Sequence, residues 1–165
     1  MIVNNDVIEV ENAKLRYMNF RGAPDKFNSK GGRRTAQWVI DDEALAKDLI
    51  DSGFSVSVKE FEDGNVQYKV KINLAYSEKS NPMIYLVTGK SKTLLTEEVV
   101  GQIDFMDIVN VDLILRAWDY GERMGTKSGE PHMSFYIKKA YFTQEVDSFS
   151  RKYDFADEEE ILPFD

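Results

Sequence analysis

The sequence predicts an all-β fold with one or two short helices. Three observations predict it: a run of strict period-2 alternation, a strong hairpin-turn dipeptide just before that run, and helical punctuation confined to two short stretches. In order along the chain, Ile8 and Val10 alternate on one phase, whereas Ala13, Leu15 and Tyr17 alternate with Lys14 and Arg16 on the other. That slip near Glu11-Asn12 predicts a β-bulge, which bends a strand as barrels require. A strand follows from Arg33 to Ile40. Asp41-Asp42 can cap a helix through Glu43, Ala44, Leu45, Leu49 and Ile50, with Gly53 as its stop.

The strand from Val56 to Phe61 turns at Asp63-Gly64 into the most regular run of the chain. There Val66, Tyr68, Val70, Ile72 and Leu74 share one face, and Gln67, Lys69, Lys71 and Asn73 take the other. Further strands are predicted at Met83 to Thr88, Val109 to Tyr120 and Met133 to Phe142. A second short helix is predicted from Thr96, with Glu97 and Glu98 in its first turn and Gly101 near its end. Strands, few helices and long basic loops suit an OB-fold-type five-stranded barrel with extra strands or hairpins, although periodicity does not separate it from other small barrels.

The chain has 165 residues, 42% hydrophobic and 12% aromatic, enough for one well-cored domain and a tail. The division expected is a domain over 1–153 and a disordered acidic tail over 154–165. There is no cysteine, hence no disulfide framework and no thiolate site, which fits a reducing cytoplasm. The opening MIVNNDVIEV has no basic region before an apolar one, and no apolar run approaches the roughly 20 residues that cross a bilayer. These features lead us to expect a soluble, cytoplasmic protein with no membrane partner.

The net charge of −8 conceals an uneven distribution. Asp154 to Asp165 holds six acids and no base, so the remainder stands at −2. From Lys14 to Arg34 there are seven bases (Lys14, Arg16, Arg21, Lys26, Lys30, Arg33, Arg34) against one acid, Asp25. Local field, rather than total charge, decides whether such a surface attracts nucleic acid.

Sequence-indifferent binding of a single strand needs cations to follow phosphates and flat side chains on which bases stack. The basic stretch interleaves Tyr17, Phe20 and Phe27 with its cations, and Gly31-Gly32 lets the loop approach a backbone closely. The bland reading makes Tyr17 and Phe20 core residues and the bases a solvated face. A second constellation is Arg116, Trp118 and Tyr120, which share a strand face, followed by Arg123 and Lys127 in a glycine-rich loop. Tyr136 and Lys138 share a face of the next strand, and Lys69 and Lys71 extend the polar face of theirs. Trp118 fits burial and stacking equally.

The segment Asp157 to Asp165, DEEEILPFD, has no evident use in a folded domain. Like charges keep Asp157, Glu158, Glu159 and Glu160 solvated, and Pro163 bars Ile161, Leu162 and Phe164 from continuing a helix or joining a sheet interior. The tip resembles the Ile-Pro-Phe tip of bacterial single-stranded DNA-binding proteins, which implies a partner-docking role. Leu162 and Asp165 depart from that pattern, Asp165 by displacing the α-carboxylate from the phenylalanine. A solubilising tail is the plain alternative, as is competition with DNA for the basic groove.

The stretch VIEVENAKLRYMNFRGAPDKFNSKGGRRTAQWVIDDEALAKDL resembles the start of phage-encoded single-stranded DNA-binding proteins, as do IYLVTGKSKTLL and IVNVDLILRAWDY. The similarity extends over most of Val7 to Tyr153. It implies an OB-fold that coats single-stranded DNA in phage replication, recombination or repair in the host cytoplasm. It also implies recruitment of a polymerase, helicase, primase or recombinase through the tail. Oligomeric state is open, with a homodimer among the options.

Other classes fit less well. Glu97, Glu98, Asp104, Asp107 and Asp112 match no nuclease metal motif, His132 is the single histidine, and Gly89-Lys90-Ser91 lacks the upstream glycine of a phosphate loop. No cofactor, metal or catalytic group is expected. An RNA-binding or chaperone module on the same fold is not separated by sequence, because stacking and phosphate contacts serve both nucleic acids. A protein-binding barrel would bind no oligonucleotide.

Overall fold

The bend expected near Glu11-Asn12 is where a barrel closes. In the computed structural model, which describes residues 1–26 and 29–145, β1 (Val7–Val10) and β2 (Lys14–Asn19) are two halves of one bent strand. Asn12 sits between them at φ 50°, a left-handed conformation that asparagine tolerates better than most residues. Its N–H donates to Asp112 Oδ1 at 2.9 Å and the next N–H, of Ala13, to the Val111 carbonyl at 2.7 Å.

The described residues add β3 (Arg34–Ile40), β4 (Val56–Glu60), β5 (Val66–Leu74), β6 (Met83–Thr88), β7 (Ser91–Leu95), β8 (Ile108–Asp119) and β9 (Met133–Gln144). Hydrogen-bonded order is β1-β8-β9-β5-β3-β2. Because β1 and β2 are one bent strand, this order is a ring of five strands. The β5–β9 pairing is parallel and the other ring pairings are antiparallel. That connectivity is an OB-fold barrel, as expected, with β4 added beside β5 and a β6–β7 hairpin extending β9.

Helix α1 (Glu43–Asp51) starts as predicted. The Asp42 carboxylate accepts the N–H groups of Ala44 and Leu45, at 3.0 and 3.3 Å. Gly53 ends it at φ 100°, and its carbonyl accepts the N–H groups of His132 and Met133. A Cβ at Gly53 would run into the His132 ring. Gly53→Ala is therefore expected to cost about 1–3 kcal/mol in backbone strain before any clash is counted. Thermal denaturation should record a Tm lower by roughly 3–10 °C.

The second helix departs from expectation. Glu97 to Val99 form a turn, and a 3₁₀ helix spans Val100–Phe105 instead. Its tighter repeat eclipses residues three apart, and Val100 and Ile103, three apart, are both fully buried against the barrel. Gly101 lies against the Arg21 backbone, while the Asp104 carboxylate accepts the N–H groups of Phe20 and Arg21 at 2.9 and 3.0 Å. The four-residue helix α2 (Gly121–Met124) and strand β7 were not anticipated from the sequence.

The barrel interior is aromatic. Phe54 stacks on Phe135 at 4.2 Å, Trp38 meets Phe135 edge-on at 6.1 Å, and Phe20 meets Phe142 edge-on at 5.7 Å. β9 changes phase partway. Met133, Phe135 and Ile137 point inward, then Ala140 and Phe142 do. The β8–β9 register shifts between Ile114 and Leu115, leaving Lys138 as the extra residue of a bulge.

Candidate nucleic-acid interface

Strand register arrays the polar faces of β2, β3 and β5 into rows. Arg16, Gln37 and Lys71 lie side by side; Lys14, Val39 and Lys69 form the row on one flank, and Asn19, Thr35 and Asn73 the row on the other. The last row continues around the barrel, because Asn73 pairs with Tyr136 and Tyr136 with Arg116. The two cationic patches inferred from sequence thus share one outer surface.

Tyr17 interrupts β2 in an unusual way. It has φ 53°, which a bulky residue rarely adopts, and the β2–β3 register shifts between Arg16 and Asn19. This bulge turns the Tyr17 ring out over the sheet, where it is 75% exposed and has Lys69 Nζ 5.3 Å from its centroid. Parity with Ala13 and Leu15 favours the core for Tyr17, and the bases interleaved with it favour the surface. The bulge puts it on the surface, at the mouth of a cleft of about 890 Å³ lined also by Arg21, Lys26, Arg33, Lys69 and Lys71.

A second cleft, of about 730 Å³, shares Arg33 and Lys71 with the first and runs to Trp118, Tyr120, Met124 and Tyr136. Trp118 is half-buried, packed edge-on to Tyr136 at 5.7 Å and tilted against Tyr120 at 6.0 Å. It therefore keeps part of its ring in the cleft. The connection between β8 and β9, which carries Tyr120 and Met124, is pinned at its base. Tyr120 N–H bonds the His132 carbonyl, and Asp119 Oδ1 takes the Gly121 N–H at 2.9 Å and lies 3.2 Å from His132 Nδ1. The Gly121 hydrogen bond, followed by the His132 contact, holds the Asp119 carboxyl below its usual pKa.

Not every predicted binding residue belongs to this surface. Phe20 is 0% exposed, packed on Phe142 and inserted by the Asp104 cap, so it is a core residue and the expectation that it stacks on a base is corrected. Arg34 falls on the inward phase of β3 at the barrel's end and borders the second cleft with its charge already engaged. Its Nε donates to the Phe20 carbonyl at 3.0 Å, its Nη1 pairs with Glu97 at 3.4 Å and its guanidinium covers the Tyr76 ring at 5.6 Å. Burial pushes the Tyr76 hydroxyl up to about 12. Lys14 lies on the outer face but pairs with Asp41 at 2.7 Å.

The remaining predicted residues scatter around the clefts. Arg16, Lys30, Arg116, Arg123, Lys127 and Lys138 are exposed on the outer face or its loops, and Arg21 lies over the exposed Phe105 ring at 4.8 Å. Phe27 and the segment from Asp157 to Phe164 lie outside the described residues, as does the expected domain boundary after 153. Sequence reasoning missed Asn19, Gln37, Ser57 and Met124 as cleft lining. The parity of Lys69 and Lys71 would have found Gln37 once the β3–β5 register was known.

Three of the five acids set against a nuclease metal motif have separate structural tasks. Asp104 caps Phe20 and Arg21, Asp112 receives Asn12 N–H and Asn110 Nδ2, and Glu97 pairs with Arg34. Among the described residues, no three His, Asp or Glu side chains stand close enough to hold a metal ion.

Solved structures similar to this chain include the single-stranded DNA-binding protein from bacteriophage Enc34 in complex with ssDNA. It is 13% identical, covers 87% of this chain and 89% of that one, and gives a TM-score of 0.48. A further structure of the Enc34 protein is 11% identical over 87% and 83%, with a TM-score of 0.46. The single-stranded DNA binding protein gp2.5 encoded by bacteriophage T7 is 10% identical over 93% and 94%, with a TM-score of 0.40. No curated protein matches the chain. The family described as "Putative phage ssDNA-binding domain" matches residues 2–162. With that match spanning nearly the whole chain, the protein belongs to the phage ssDNA-binding domain family.

Proposed function

We propose that this protein binds single-stranded DNA along the two joined clefts, without sequence preference and without catalysis, and coats strands exposed during phage DNA replication, recombination or repair in the host cytoplasm. The observation that carries this reading is Tyr17. A strained backbone places its ring in solvent beside Lys69, and strain of that kind persists where the surrounding structure enforces it for a use. A base stacks on the ring while Lys69, Lys71 and Arg33 follow the phosphates. Farther along, Trp118 and Tyr136 offer a second stacking point. Every base has a π face, so such a groove accepts any sequence.

The tail reading rests on sequence chemistry. Asp157 to Glu160 compete with phosphates for the cationic groove, and Ile161 to Phe164 carry an apolar tip for replication or recombination proteins.

Tyr17→Gly tests the groove. Glycine adopts φ 53° without strain, so the variant should be at least as stable as the parent in thermal denaturation. Its affinity for an oligonucleotide, followed by Trp118 fluorescence, should fall about 5- to 150-fold, the worth of one stacked base. A stable variant with parental affinity would remove Tyr17 from the site. An RNA competitor of matched sequence in the same titration measures preference between the two nucleic acids.

A further inference from the structure

The bulge at Lys138 has a second effect on β9. Without it, Lys139 and Tyr141 would point into the barrel. With it, they join Tyr136 on the outer face, roughly 15 Å farther along the strand. There Tyr141 pairs with Tyr85 of β6, and the two rings stack at 5.2 Å with 11° between their planes. Lys92 Nζ lies 4.8 Å from the Tyr85 centroid and 5.8 Å from that of Tyr141; Lys139 Nζ lies at 5.8 and 5.5 Å.

A cross-strand tyrosine pair by itself is ordinary sheet packing. Two ammonium groups within 6 Å of that pair make it a cationic aromatic platform, each held by the ring faces and each keeping a full charge for a phosphate. Among the described residues neither lysine has a carboxylate within 4 Å. The nearest acids in register are Asp112, opposite Tyr141, and Glu9, two strands from Lys139. Asp112 already accepts the Asn12 N–H and Asn110 Nδ2.

The platform is continuous with the groove. A third cleft, of about 490 Å³, shares Tyr76 and Glu97 with the second and ends at Met83 and Leu94. In register, Met83 is the partner of Lys139 and Leu94 the partner of Tyr85. We propose that the Tyr85–Tyr141 platform, with Lys92 and Lys139, is a further single-strand contact that takes up the DNA where it leaves the second cleft past Tyr76 and Glu97. This rests on the groove reading and extends the occluded length; OB-folds occupy about 4–16 nucleotides.

Affinity for oligonucleotides of about 6 and about 20 nucleotides, measured from 0.05 to 0.3 M salt on the full chain, tests it. Lys92→Gln/Lys139→Gln should leave the short oligonucleotide unaffected. For the long one, it should weaken binding about 10- to 30-fold near 0.1 M salt and reduce the log–log salt slope by about 1.4, the share of two phosphate contacts. Unchanged binding of the long oligonucleotide overturns the platform, while the Tyr17→Gly loss on both lengths would still uphold the groove. If the parent protein binds neither length, the groove reading falls and the platform with it. Tyr85→Leu/Tyr141→Leu, checked for folding by its thermal transition, should reproduce the length-selective loss.

Discussion

Replacing Arg33, Lys69 and Lys71 together with glutamine is expected to weaken single-strand binding about a hundredfold at 0.1 M salt. It should also flatten the log–log salt dependence by roughly 2. Each phosphate contact on a single strand contributes about 0.7 to that slope, which is about fivefold in affinity between 1 M and 0.1 M salt, and three contacts multiply. The three share a position along the groove. Arg33 and Lys71 belong to both clefts, and Lys69 supports Tyr17, so a strand crossing the groove meets all of them. Lys14→Gln is the matching control. Its ammonium is shared with Asp41 on an exposed pair, and its loss should alter the slope far less. An unaltered slope in the triple variant would place the phosphate path elsewhere on the barrel.

Phe20→Ala is expected to cost about 3–5 kcal/mol, the usual penalty for emptying a buried phenylalanine site. Chemical denaturation should show it as a lower midpoint at an unchanged slope. The ring fills the end of the barrel against Phe142, its N–H is bound by Asp104 and its carbonyl by Arg34, so the backbone has little freedom to collapse into the space. Binding should fail in this variant in step with folding. If Phe20 were a stacking residue instead, stability would hold and affinity alone would drop. The two outcomes separate core from surface at one position.

The contrast between Phe20 and Tyr17 shows where reading the sequence stops. Both are aromatic residues in one basic stretch, and alternation from Ala13 through Leu15 assigns Tyr17 to the inner face. The bulge between Arg16 and Asn19 reverses that assignment, sending Tyr17 out and Phe20 in. A one-residue slip exchanges the faces of everything beyond it, and the slip is fixed by the partner strand. β9 repeats the lesson. Tyr136 and Lys138 have matching parity in sequence, yet the outward series after the bulge is Lys139 and Tyr141. The change from Met133, Phe135 and Ile137 to Ala140 and Phe142 was visible as a break in apolar parity, but its position could not be converted to a bulge without β8 beside it.

What the sequence determined by itself was local. Alternation over Val66–Leu74 made β5, Asp63-Gly64 made the turn before it, Asp42 and Gly53 bounded α1, and Asn12 marked the bend between β1 and β2. The uneven spread of charge was likewise plain, since it needs no partner to exist. Tertiary structure decided which cations face a strand. Arg33 and Arg34 are adjacent and chemically identical, yet Arg33 is exposed where the two clefts meet, whereas Arg34, in the wall of the second, has its guanidinium committed to Tyr76, Glu97 and the Phe20 carbonyl. Closing five strands into a ring assigns an inside and an outside, and two bulges shift that assignment within β2 and β9. A binding surface built from faces is therefore settled by long-range pairing, some of whose partners lie more than a hundred residues apart in the chain.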